Sequence, residues 1–118
     1  MNHTVLLVED EEDLRETMRD ALELNGYTVV AARDGQEALE QLDHIENVCL
    51  VLLDLVMPRM NGWDFFTVLR QRSAFASVPV IVHCASPTQA PPNATRVLVK
   101  PLEFSQLLAV VHEYCAAA

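Results

Sequence analysis

Basic residues are scarce in this chain: 8 Lys and Arg stand against 17 Asp and Glu, for a net charge of −9 over 118 residues. Duplex nucleic acid and anionic membrane are excluded as natural partners, because phosphate binding needs clustered Lys and Arg. Long hydrophobic runs are missing as well. The apolar runs are a handful of residues each, against the roughly 20 that a bilayer span requires. No basic stretch precedes the short run Val5 to Val8, so no secretion leader is expected and a cytoplasmic setting is. Cysteine is limited to Cys49, Cys84 and Cys115, odd in number and widely spaced. That pattern predicts neither a disulfide framework nor a CxxC metal pair, and Cys49 reads as a small hydrophobe ahead of a buried strand. With 51% hydrophobic residues and this length, the chain reads as one domain, residues 1–118, with one real core.

Four runs are apolar throughout rather than alternating: Val5 to Val8, Leu50 to Leu53, Val80 to Val82, and Val97 to Val99. Strands buried on both faces read this way, which predicts a parallel sheet covered by helices on each side. Thr28 to Ala32 is a weaker fifth candidate. Helical spacing fills the intervals. Asp13 to Asn25 puts Leu14, Met18, Ala21 and Leu22 on one stripe and stops at Gly26. Asp34 with Glu37 has capping-box spacing ahead of Ala38, Leu39 and Leu42. Trp63 to Arg72 and Leu102 to Tyr114 complete the set. Strand and helix alternate along the chain, so the expected class is α/β.

One crossover is unusually short. Only Ala85 to Thr95 separates the fourth strand run from Arg96, near the lower limit for a parallel connection. Ser86-Pro87 with Gln89 suits a helix start, but Pro91 and Pro92 remove donors and restrict Ala90. The fourth helix is expected to be shortened or missing.

Ligands of open parallel sheets bind outside the carboxyl ends of the strands. Strand one runs into Glu9-Asp10, strand three ends on Asp54, strand four on Cys84, and strand five on Lys100-Pro101. Acids ahead of a helix often only complement its dipole, which accounts for Glu11, Glu12 and Asp13. Glu9, Asp10 and Asp54 are different, because three strand ends deliver them to one edge with Lys100. Crowded carboxylates need a cation, and hard oxygen ligands favour Mg²⁺. With a divalent ion and one lysine, the three carboxylates form a neutral site suited to a phosphoryl group. His83-Cys84 is a weaker zinc or nucleophile candidate that lacks a second ligand pair.

The stretches Val5 to Asp10, Leu53 to Gly62, Pro79 to Val82 and Val99 to Pro101 resemble those of response-regulator receiver domains of two-component signalling. The D-x-x-M-P-x-M-x-G stretch from Asp54 to Gly62 is the most specific of them. The resemblance spans essentially the whole chain. It implies a doubly wound, flavodoxin-like five-stranded parallel sheet in the order 2-1-3-4-5. It makes Asp54 the phospho-acceptor, gives Mg²⁺ to Glu9, Asp10, Asp54 and the Val56 carbonyl, and sets Lys100 on the phosphoryl oxygens. It implies a cis Lys100-Pro101 bond and a phosphohistidine donor on a histidine kinase or phosphotransfer protein. The signal would pass to a downstream protein or a linked output domain, with no turnover enzyme activity. Two positions depart from the family pattern. Its switch Ser or Thr falls on Cys84, a weak donor, unless Ser86 takes that role. Its switch aromatic falls on Val97. These departures admit an alternative, a pseudo-receiver that docks a partner without phosphorylation-driven switching. An aspartate-nucleophile phosphatase fits less well, because Val56 stands where a second acid is needed.

Overall fold

The computed structural model describes residues 4–45, 47–57 and 59–115. Five strands, β1 (Thr4–Val8), β2 (Thr28–Ala32), β3 (Val48–Asp54), β4 (Val80–Cys84) and β5 (Arg96–Val99), form one parallel sheet in the order β2-β1-β3-β4-β5. The helices are α1 (Glu12–Leu24), α2 (Gly35–Leu42), α3 (Gly62–Gln71) and α4 (Phe104–Tyr114). Sheet order and class agree with the sequence reading, and each predicted element appears within a few residues of its expected ends.

The two-residue period of a strand sorts the core into two layers. Leu6, Val8, Val51, Leu53, Val80 and Val82 pack with Ala38, Phe65 and Leu69 of α2 and α3. Val5, Leu7, Leu50, Leu52 and Ile81 pack with Met18, Leu22, Leu107 and Val111 of α1 and α4. With both faces covered, β1 and β4 are buried along their full length, and this is why those runs carry no polar alternation.

Local signals were accurate where they rest on backbone chemistry. The Asp34 carboxylate accepts from the Glu37 amide at 2.8 Å and caps α2. Gly26 adopts φ +91 after α1, a conformation that costs glycine little. The fourth crossover holds only a single 3₁₀ turn, Pro87–Gln89, as its prolines predict. That turn is tied down by Trp63, whose Nε1 donates to the Gln89 carbonyl at 2.7 Å.

The cysteine reading requires correction. Cys49, at the start of β3, and Cys115, closing α4, form a disulfide with Cα atoms 5.6 Å apart. Cys84 is the free, buried thiol. The partners are 66 residues apart in sequence, and only the docking of α4 beside β3 brings them together. Closing a loop of that length restricts the unfolded chain by about 4 kcal/mol. Reduction, or the double substitution of Cys49 and Cys115 by Ala, should lower unfolding free energy by about 2–4 kcal/mol, read by urea denaturation with and without dithiothreitol.

Candidate functional site

The carboxyl edge of the sheet collects the predicted residues. Glu9 and Asp10 follow β1, Asp54 ends β3, Cys84 ends β4 and Lys100 follows β5. Glu9, Asp10 and Asp54 each offer a carboxylate oxygen within 4.8 Å of the others. Lys100 Nζ donates to Asp54 Oδ1 at 3.2 Å. Asp54 and Glu9 are buried at 2% exposure each, while Asp10 lies open to solvent. The arrangement therefore has two sunken acids, one acid at the rim and a lysine reaching in. The Lys100-Pro101 peptide bond is cis, as the resemblance implied.

Backbone packing fixes these positions. Gly62 opens α3 so close to the end of β3 that a Cβ there would meet the Asp54 carbonyl oxygen at 2.5 Å and Leu55 Cα at 2.6 Å. Its amide donates to the Leu55 carbonyl at 2.8 Å. This close approach is the structural content of the glycine in the motif. Arg59, at φ 62, sends its guanidinium to the buried Asp34 carboxylate at 2.7 Å. Burial opposes charge on Asp34, but the Glu37 amide and Arg59 outweigh it and hold the carboxyl below its usual range. The loop after Asp54 is thereby moored to the start of α2. Pro58 of the motif lies outside the described residues.

Electrostatics divide the acids. Burial, followed by the neighbouring Glu9 charge, pushes the Asp54 carboxyl up to about 6 despite Lys100. Burial acts on Glu9 in the same direction, yet His83, the Glu11 amide and Lys100 together hold it below its ordinary value. Burial disfavours charge on Lys100, but the Asp54 and Glu9 carboxylates prevail and raise it. One lysine does not neutralise this pocket. An added divalent cation would relieve the repulsion, and the oxygen-only donor set suits Mg²⁺.

Cys84 ends β4 as expected, but its thiol donates to the Ser86 carbonyl at 3.1 Å, and burial raises its pKa. The Ser86 hydroxyl pairs with that of Thr88 at 3.0 Å. Both candidates for the switch hydroxyl are thus engaged within the short loop. Val56 has its apolar side chain 64% exposed beside the site. Val97 is half-buried against the α2–α3 core layer. Sequence reasoning missed the place of His83. It sits opposite Asp54 in the β3–β4 register, with Nδ1 3.8 Å from Glu9 Oε1. A polar residue inside an otherwise apolar buried strand was the available signal.

A doubly wound sheet with this acid cluster at its carboxyl edge defines a class, the receivers of two-component signalling. The chain belongs to the response regulator receiver domain family, whose model matches residues 5–112. It is 37% identical over 116 residues to the response regulator MprA of Mycobacterium ulcerans, covering 92% of this chain and 48% of that protein. It is 42% identical over 67 residues to the transcriptional regulatory protein CpxR of Escherichia coli, covering 57% of this chain and 28% of that protein. The chain thus spans less than half the length of these relatives. Among solved structures it resembles the chemotaxis protein CheY4 of Vibrio cholerae, with TM-score 0.86, 27% identity, and 97% and 99% of the two chains covered. It also resembles the response regulator TrrA of Thermotoga maritima in complex with Mg²⁺-BeF, with TM-score 0.82, 27% identity, and 95% and 98% covered.

The raised Asp54 value has a stability consequence. A carboxyl whose folded pKa exceeds its unfolded one contributes stability below the unfolded value, lost as pH rises through the folded one. For Asp54 that window runs from the ordinary 3.8 to about 6. In chelator, Asp54→Asn should match wild type near pH 4 and exceed it by about 2 kcal/mol at pH 8. Thermal unfolding of both proteins across this range checks the expectation, and equal curves at pH 8 would contradict it.

Proposed function

We propose that the chain accepts a phosphoryl group on Asp54 from a phosphohistidine of a histidine kinase or phosphotransfer protein, in a Mg²⁺-dependent reaction. The observation that carries this reading is the sunken Asp54 carboxylate, clustered with Glu9 and Asp10 and met by Lys100 at 3.2 Å. The residues that would hold Mg²⁺ are Glu9, Asp10, Asp54 and the Val56 carbonyl. When bound, the ion supplies positive charge against the phosphoryl oxygens.

The chain's own residues do the rest. An Asp54 oxygen forms the bond to phosphorus as the P–N bond to the donor imidazole breaks, and the imidazole leaves with a proton from solvent. Lys100 holds its ammonium at the Asp54 oxygen and can follow the charge onto the phosphoryl group. The Glu11 amide, the facing His83 and the charge of Lys100 keep Glu9 ionised. Cys84 is a poorer donor than a hydroxyl, so its loop adjusts to phosphorylation with a weaker bond. The Val56 side chain presents no polar atom to orient a hydrolytic water, so self-dephosphorylation is slow. The domain assists its own phosphorylation and dephosphorylation without being a turnover enzyme.

A downstream protein, or an output domain on the same polypeptide, would receive the signal. Among the described residues no helix is long and apolar enough to cross a membrane. A cytoplasmic location goes with this reading. No observation favours the docking-module alternative, whereas the clustered acids and the Lys100 contact support phosphorylation.

Incubation with a small phosphodonor and Mg²⁺, followed by intact mass, tests the proposal. Wild type should gain one phosphoryl group, lose the gain in chelator, and retain the label for longer than seconds. Asp54→Asn should gain none. Equal uptake by that variant would sink the assignment.

A further inference from the structure

His83 is a polar residue in a strand with no structural use for one: β4 reads Val80-Ile81-Val82-His83-Cys84 and is buried throughout. The ring is 4% exposed, and neither of its nitrogens has a hydrogen-bond partner among the described residues. Leaving a buried polar group unpaired is costly, whereas an aliphatic side chain here would carry no such penalty. The packing of the core therefore gives no reason for a histidine. Its surroundings at the sheet edge do.

The Glu9 carboxylate has two oxygens with different company. Oε2 accepts from the Glu11 amide at 3.1 Å. Oε1 faces His83, with Nδ1 at 3.8 Å. A hydrogen bond needs about 2.7–3.2 Å, so the gap is under about 1 Å. A cavity of about 10 Å³ lined by Glu9, Asp54 and His83, together with Leu7, Leu52 and Ile81, adjoins the pair. The two groups thus face each other across a gap that a small side-chain shift closes.

We propose that His83 is a positioning residue for Glu9, its ring donating from Nδ1 to the carboxylate and fixing the orientation in which Glu9 binds the divalent cation. Carboxylates that bind metals are generally oriented by such outer hydrogen bonds, and losing one costs about 10–100-fold in metal affinity. The inference rests on the reading that Glu9, Asp10 and Asp54 hold Mg²⁺. It adds that β4, as well as β1 and β3, contributes to that site.

Three proteins separate a positioning role from a packing role: wild type, His83→Leu and His83→Asn. The Asn amide donates from about the place of Nδ1, whereas Leu fills the volume without a donor. Mg²⁺ titrations of the full chain, followed by fluorescence of Trp63, its single tryptophan, should show about 10–100-fold weaker binding in His83→Leu and partial recovery in His83→Asn. In chelator, His83→Leu should unfold at the wild-type temperature or above it, since the unpaired ring is gone. Undiminished Mg²⁺ binding by His83→Leu overturns the proposal while leaving the phospho-acceptor reading intact. Equal weakening by both substitutions, or loss of folding in His83→Leu, also overturns it and marks the ring as structural. A wild-type protein that binds no Mg²⁺ overturns the metal site itself, and the role of His83 with it.

Discussion

The carboxylates of Glu9, Asp10 and Asp54 share a volume a few ångströms across, and Lys100 is the ammonium that reaches into it. Two of these acids are almost wholly out of water. Repulsion at that spacing, with weak solvation, makes full ionisation unfavourable, and Asp54 bears the consequence as a carboxyl raised to about 6. A site in this condition is poised to gain from any added positive charge. The cation binding and the phosphoryl acceptance proposed for it would have the same origin.

The fold exists at this edge to hold the repelling groups in place. Parallel strands bring every carboxyl end to one side, so consecutive β–α units deliver functional residues to a common rim. Gly62 allows α3 to start against the Asp54 backbone, where any side chain would collide. Arg59 and the buried Asp34 moor the intervening loop to α2. On the far side of β3, Lys100 leaves β5 with its amide bonded to the Cys84 carbonyl at 2.8 Å. Each anchor lies outside the acid cluster, and each limits how far the cluster can spread.

The other end of the sheet is held differently. The Cys49–Cys115 disulfide joins the start of β3 to the end of α4, so α4 is secured where the site makes no demand on it. Near the site, the fourth crossover is the thin part of the structure. A single 3₁₀ turn stands in place of a helix, with Trp63 bonded to its end and the Cys84 thiol folded back on Ser86. Val97 fills the position at which the family pattern has an aromatic ring, and it lies half-buried against the α2–α3 core layer.

The sequence by itself determined the class of fold, the strand order through the resemblance, the short crossover, and the presence of Asp54, Glu9, Asp10 and Lys100 at strand ends. These follow from local causes: apolar runs, capping pairs, prolines and the offset of a residue from its strand. Tertiary structure decided what depends on separate segments meeting. The pairing of Cys49 with Cys115 needed α4 to dock beside β3, and no spacing rule spans that distance. The approach of His83 to Glu9 needed β4 and β1 to flank β3 with their ends level. Which acid bears the repulsion was likewise settled in three dimensions, because His83, the Glu11 amide and Lys100 keep the charge on Glu9 against its burial and leave Asp54 to carry the repulsion.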